Sequence, residues 1–168
     1  MNLLIYIIVY PFIWLISRLN FTLIYIVSDI LYYFLYYVIS YRKNVVRENL
    51  KLAYPNKSIR ERREIERKNF RNLTDVFLET FKSTNIKEDE LKKRFIFKNP
   101  ELLERIYNNK QDVIVMCSHY CCWEWVFGVR NITNFKINAI YKQLSNKYFD
   151  KLTKSRRSQY GAKMIKTK

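Results

Sequence analysis

The first 40 residues form an apolar head, and this feature constrains the chain most. The head contains only two charged residues, Arg18 and Asp29. Residues 3–16 carry no charge but fall short of the roughly 20 apolar residues that cross a bilayer as a helix, whereas residues 21–39 are interrupted by Asp29 alone. We therefore predict that residues 1–40 are a membrane anchor, with one membrane-inserted helix and a second at, or partly in, the interface. The alternative is a buried apolar hairpin of a soluble protein.

The residues within and just after the head also favour a membrane location. Half of the chain's 14 tyrosines lie in the head, and amphipathic rings prefer the headgroup zone. The basic residues that follow directly form a flank that the positive-inside rule keeps in the cytoplasm: Arg42, Lys43, Arg47 and Lys51. Met1 and Asn2 supply no basic segment before the apolar run, so we do not expect a cleaved signal peptide.

The rest of the chain is strongly basic. The net charge is +16, and all charged residues except two lie after residue 40. Such a surplus suits nucleic acid, anionic lipid headgroups or an acidic protein partner. The sequence contains no recognised nucleic-acid motif, so we expect no nucleic acid among its partners. Two glycines in the chain are too few for a P-loop or a dinucleotide-binding loop, and a length of 168 residues suits a single domain.

Three helix starts or stops are marked by local signals. Residues 41–54 have an apolar stripe that Pro55 ends. Ser58 and Glu61 form a capping box at the start of the next helix, whose other face is dense with arginine. A further helix is predicted after Asn99, with proline at its first position.

The middle of the chain predicts an α/β arrangement. Residues 113–117 are a continuous apolar run, which is typical of a strand covered on both faces. Residues 123–131 suit a short helix and residues 136–141 a second strand. Strand, helix and strand in this order predict a right-handed parallel crossover.

The candidate chemistry lies just after the first predicted strand. His119 is the only histidine in the chain, and Glu124 follows it five residues later. On one continuous helix these side chains would point roughly 140° apart, so a turn between them is needed to bring them together. A carboxylate beside an imidazole fixes its tautomer and favours the imidazolium, which makes a better general base. A histidine with a structural role is the alternative for an isolated pair of this kind.

Five stretches, which together extend over essentially the whole chain, carry a resemblance to a known protein family: the apolar head, YRKNVVRENLKLAYPNKS, FRNLTDVFLET, VIVMCSHYCCWEW and YKQLSNKYFDKLTKSRRSQYGAKMI. In these stretches the chain resembles the bacterial lipid A biosynthesis acyltransferases, the lauroyl- and myristoyl-transferase family of the lysophospholipid acyltransferase superfamily. The resemblance implies a glycerolipid-acyltransferase-like mixed sheet, of which residues 41–168 would hold the first strands and the N-terminal portion of the catalytic domain.

The resemblance also implies a reaction and a set of site residues. A hydroxyl of a lipid A precursor would attack the thioester of an acyl-carrier protein at the cytoplasmic side of the bacterial inner membrane. His119 would be the base and Glu124 its partner, while Lys142, Arg157 and Gly161 would help to bind substrate. No metal or cofactor is implied for this step. Another lipid acceptor, a lysophospholipid or an aminolipid, and a non-catalytic lipid-binding protein are the alternatives.

The chain departs from the family pattern at two places. The family has a small residue before the histidine and Gly-Asn before the Trp-Glu pair, where this chain has Ser118 and then Cys121 and Cys122. The family also continues with further strands after the position of Lys168, so we expect a shortened chain, for which an inactive product is an alternative.

The cysteines near His119 allow two other interpretations. Cys117, Cys121 and Cys122 with His119 could be read as a zinc site, although zinc ligands normally come as two separated pairs. Cys121 could instead form an acyl-enzyme with His119 as its base. Free thiols are the expected state of three cysteines in a reducing cytoplasm.

Overall fold

The computed structural model describes residues 2–158 and 161–167 and shows a mostly helical chain with one small parallel sheet. The first half contains α1 (Asn2–Arg18), α2 (Phe21–Tyr33) with a π-helical continuation (Phe34–Ile39), α3 (Lys43–Ala53) and α4 (Ile59–Lys82). The second half contains a 3₁₀ turn (Ser83–Asn85), α5 (Glu88–Arg94), α6 (Pro100–Asn108), a 3₁₀ helix (Trp123–Ile132), β1 (Asn138–Tyr141), α7 (Lys147–Ser158) and β2 (Lys163–Lys166).

The chain divides into two compact units. One is Arg18–Thr80, and the other joins the first 17 residues to the segment after residue 80. This division differs from the predicted functional boundary at residue 40, which stays a prediction.

The local signals for helices are confirmed. The backbone N–H and the hydroxyl of Ser58 both donate to Oε2 of Glu61 at 2.8 Å, and the N–H of Glu61 donates back to the Ser58 hydroxyl at 3.3 Å. These hydrogen bonds stabilise the ionised carboxylate and lower the pKa of Glu61. Pro100 begins α6, where its missing N–H costs nothing, although the Asn99 side chain makes no capping hydrogen bond.

The strand predicted at residues 113–117 is wrong. These residues form no regular secondary structure, and Ile114 and Met116 are 91% and 93% exposed. A central strand needs a paired neighbour on each edge, and the described sheet consists of β1 and β2 only. The apolar run is therefore left without strand partners among the described residues.

The predicted crossover from residues 113–117 to 136–141 is wrong because its first strand is missing, and the observed parallel pair joins other elements. β1 falls within the predicted strand 136–141, and it pairs in parallel with β2 through the intervening α7. Asn138 lies opposite Lys163, and Tyr141 opposite Lys166. The predicted helix at 123–131 is confirmed in position and adopts 3₁₀ geometry.

Phe21–Ile39 is long and apolar enough to cross a membrane by length and composition. α1 is apolar but shorter. Within its own unit, α1 contacts the start of α7, since the Tyr6 ring lies 5.2 Å from that of Phe149 and the Asn146 amide donates to the carbonyl of Asn2 at 2.9 Å.

A buried carboxylate lies at the centre of the Arg18–Thr80 unit. Glu66 on α4 is 1% exposed and accepts hydrogen bonds from Nε and Nη2 of Arg47 at 3.0 and 3.2 Å and from the Tyr36 hydroxyl at 3.1 Å. Tyr32, Tyr36 and Phe70 form the apolar cluster beside it. Burial of a charge is tolerated here because both carboxylate oxygens are hydrogen-bonded.

We expect Glu66→Ala to lower the free energy of unfolding by about 2–3 kcal/mol, because it removes three hydrogen bonds and leaves Arg47 without its partner. Glu64→Ala is the matched control: Glu64 lies on the same helix, is exposed and pairs with Lys68 across one turn, so its loss should cost under about 0.5 kcal/mol. Urea unfolding in detergent micelles measures both. Equal losses for the two variants would contradict the role of Glu66.

Candidate active site

The motif residues lie where an irregular segment turns into the 3₁₀ helix. His119 is exposed at a bend, and Glu124 lies in the first turn of the helix. Between them Cys121 adopts a left-handed backbone with φ of +49°, and its carbonyl accepts a hydrogen bond from the N–H of Trp123 at 2.9 Å. The structure therefore has the chain reversal between the two residues that the spacing requires.

Glu124 forms a bidentate ion pair with Arg157 of α7. Nε of Arg157 donates to Oε2 at 3.0 Å, and Nη2 donates to Oε1. The side chains of Arg157 and Glu124 are only 15% and 11% exposed, so little water competes with the pair. Parallel N–H···O bonds of this kind are both strong and directional. The pair fixes the start of the 3₁₀ helix against α7.

Trp123 connects His119 to this ion pair. The His119 ring lies 4.5 Å from the Trp123 ring between centroids, and the guanidinium carbon of Arg157 lies 5.0 Å from the same indole. The part of the chain that the structure describes has no hydrogen bond between the His119 ring and the Glu124 carboxylate. The two motif residues thus lie near a common indole rather than in direct contact.

A small cleft borders the ion pair. Its volume is about 20 Å³, which is room for about one water molecule. Its walls include Glu124, Arg157, Leu91 and Phe127. An acyl chain does not fit this cleft as it stands.

Lys142 and Gly161, the two other predicted substrate-binding residues, lie next to the sheet strands. Lys142 is exposed directly after β1. Gly161 has φ of +78° and precedes β2, which explains the need for glycine there. Gln159 and Tyr160, between Arg157 and Gly161 in the motif, lie outside the described residues.

Cys117 and Cys121 are exposed free thiols, and Cys122 is buried. Among the described residues, no group of three or more His, Cys, Asp or Glu side chains is arranged to hold a metal ion. Cys121 precedes the indole that contacts His119, and no contact between the thiol and the imidazole joins them into a nucleophile and base pair within the described residues.

Comparison with protein-family models identifies the chain. Residues 2–168 match the family described as bacterial lipid A biosynthesis acyltransferase. The chain belongs to this family. Neither curated proteins nor solved structures gave a match. Membership of the family gives the chain a general acyltransferase function in lipid A biosynthesis, with lipid among its substrates, and the family is typically associated with bacterial membranes.

Sequence reasoning missed Trp123 and the pairing of Arg157 with Glu124. Arg157 was predicted to bind substrate from its place in the family pattern, but 33 residues separate it from Glu124, and no local pattern predicts a contact over that distance. The one available signal for Trp123 was its position next to Glu124.

A double-mutant cycle tests the ion pair. Glu124→Gln and Arg157→Met should each lower the free energy of unfolding by about 2 kcal/mol, with a coupling energy above about 1 kcal/mol, because each leaves a poorly solvated partner. Arg156→Met is the matched control, since Arg156 is adjacent on α7 and forms no ion pair among the described residues; its coupling to Glu124→Gln should stay under about 0.5 kcal/mol. A coupling near zero for Arg157 would show that the pair does not form.

The left-handed residue in the motif loop gives a second prediction. A side chain at positive φ costs about 1 kcal/mol, and the family pattern has glycine at the position of Cys121. Cys121→Gly should therefore stabilise the protein by up to about 1 kcal/mol, since the exposed thiol contributes little packing. Cys117→Gly should give no gain, because Cys117 is not at positive φ. Thermal unfolding compares the two, and a destabilised Cys121→Gly variant would contradict the assignment.

Proposed function

We propose that the protein is an O-acyltransferase that moves a fatty acyl chain from acyl-carrier protein to a hydroxyl of a lipid A precursor, at the cytoplasmic side of the bacterial inner membrane. The observation that carries the proposal is the arrangement of the family's motif residues: His119 contacts Trp123, the Arg157 guanidinium lies near the same indole, and Arg157 is paired with Glu124. The surplus of basic residues suits an acidic carrier protein.

In the proposed reaction, the acceptor hydroxyl oxygen attacks the thioester carbonyl carbon while His119 removes the hydroxyl proton. Collapse of the tetrahedral intermediate forms the ester and breaks the C–S bond. The imidazolium then returns its proton to the departing thiolate, so that the carrier leaves as a thiol. The imidazole is accessible to both substrates because His119 is exposed.

The proposed role of Glu124 is to stabilise the imidazolium. Each oxygen of the carboxylate already accepts a hydrogen bond from Arg157, but a carboxylate oxygen has a second acceptor site. In this proposal the imidazolium donates to that second acceptor site while the ion pair with Arg157 stays in place. Arg157 then acts as a positioning residue for Glu124.

Lys142 and Gly161 complete the proposed substrate site. The ammonium of Lys142 is exposed beyond the end of β1 and suits a phosphate of an acidic glycolipid. Gly161 lets the chain turn into β2 at positive φ. β1 and β2 are in this proposal the first strands of the mixed sheet that the family resemblance implies.

Two alternatives remain open to the same experiments. The acceptor could be a lysophospholipid or an aminolipid, since nothing in the described site selects a sugar. A non-catalytic protein that binds anionic lipid is favoured by one observation, the absence of a direct His119–Glu124 hydrogen bond among the described residues.

We expect His119→Ala to lower acyl transfer by about 100-fold or more, the usual contribution of a general base. Glu124→Ala should lower it strongly as well. The assay follows transfer from acyl-carrier protein to a labelled lipid A precursor in membranes that contain the full chain. Tyr120→Ala is the matched control, because Tyr120 is exposed beside His119 and has no proposed role.

Membrane attachment should be the same in all three variants, which separates a catalytic defect from loss of the protein. Full activity of both His119→Ala and Glu124→Ala would overturn the catalytic assignment. Transfer to a lysophospholipid in place of the lipid A precursor would support the alternative acceptor.

A further inference from the structure

The apolar segment Phe21–Ile39 is joined along its length to the charged helix α4. The Tyr25 hydroxyl donates to Glu79 at 2.7 Å, and the Ser28 hydroxyl donates to Asp75 at 2.5 Å. The order of these contacts shows that the two helices run antiparallel, because residues later in α2 meet residues earlier in α4.

The contacts between the segment and α4 continue towards the π-helical end. The guanidinium carbon of Arg71 lies 5.0 Å from the Tyr32 ring, and Tyr36 donates to the buried Glu66. Four polar contacts therefore follow one side of the segment from end to end. The residues of the segment on that side are the buried ones: Phe21, Ile24, Ser28, Tyr32 and Tyr36.

The opposite side of the segment is apolar and uncovered. Successive residues of an α-helix are 100° apart, and on that spacing the exposed apolar side chains of α2 fall on one arc. We define the apolar arc as these side chains together with two exposed ones that follow in the π-helical turn: Leu23, Ile26, Ile30, Tyr33, Phe34 and Tyr37. Asp29 lies at the edge of this arc. An exposed apolar side on one helix, with a charged helix packed on its other side, has the pattern of a segment that lies in the membrane interface.

A spanning orientation would conflict with these contacts. Because α4 lies alongside the segment, it would have to enter the bilayer with it, together with its exposed charged side chains, which include Arg63, Glu64 and Arg67. Asp29 would also lie near the middle of the hydrocarbon layer. Charged groups at that depth are rare because their desolvation is costly.

We propose that Phe21–Ile39 binds parallel to the surface of an anionic lipid bilayer, with the apolar arc immersed to the level of the upper acyl chains and α4 on the aqueous side. Charge complementarity indicates that the partner of the apolar arc is an anionic lipid bilayer. The π-helix is followed by Arg42 and Lys43, whose positive charges suit lipid phosphates, and the Lys43 ammonium lies 3.7 Å above the Tyr36 ring at this end. The proposal rests on the membrane location in the proposed function but not on its chemistry.

The test is a depth measurement on the full chain in vesicles of phosphatidylcholine mixed with phosphatidylglycerol. Spin labels are placed singly at Leu23→Cys, Ile30→Cys and Tyr37→Cys, with Cys117, Cys121 and Cys122 replaced by serine. All three side chains are exposed members of the apolar arc, and Leu23 and Ile30 face the same way because seven residues make nearly two turns of an α-helix. Collision with oxygen and with a water-soluble nickel complex reports the depth of each label.

An in-plane helix should place all three labels at the same depth, about 5–10 Å below the headgroups. Asn72→Cys is the matched control. Asn72 is exposed on α4, near the middle of its contacts with the segment, and its label should remain in water. Far-UV circular dichroism confirms that each labelled chain is folded, and the labelled side chains are exposed in the structure.

Three outcomes would overturn the proposal. Ile30 near the bilayer centre, about 15 Å deep, with Leu23 and Tyr37 near opposite surfaces, would show a spanning helix. Spin–spin broadening with low oxygen access would show that a second copy of the chain covers the apolar arc. Labels in water would show that the arc binds no membrane. None of these depth measurements requires acyl transfer, so a failure of the in-plane proposal can be distinguished from a failure of the proposed acyltransferase function.

Discussion

The Arg157–Glu124 ion pair is the interaction on which the candidate site depends. It joins the first turn of the 3₁₀ helix to the end of α7, and both side chains are largely shielded from water. A neutral pair would be weaker and less directional. Arg157 also lies near the Trp123 indole, so α7 contacts two adjacent residues at the start of the 3₁₀ helix.

In the Arg18–Thr80 unit, buried or half-buried carboxylates also join helices through hydrogen bonds. Glu66 is buried with Arg47 and Tyr36 as its partners, and Asp75 and Glu79 take hydroxyl partners from α2. In both units carboxylates join one helix to another through hydrogen bonds.

Features set by neighbouring residues were predictable from the sequence, and features set by distant ones were not. The capping box at Ser58 and the helix start at Pro100 depend on three or four consecutive residues, and both are confirmed. The strand at 113–117 was wrong because a strand exists only through its partners, and apolar composition does not supply them. The motif identified His119 and Glu124, whereas the partner of Glu124 came from a helix 33 residues away.

Trp123 has a consequence for how the His119 ring is held. His119 follows an exposed stretch without regular structure, so its backbone gives it little restraint, and the indole is the firm surface against which the imidazole rests. The same indole receives the guanidinium of α7. Displacement of α7 would therefore shift the indole and, with it, the imidazole, so that the orientation of His119 depends on a helix that follows it in the chain.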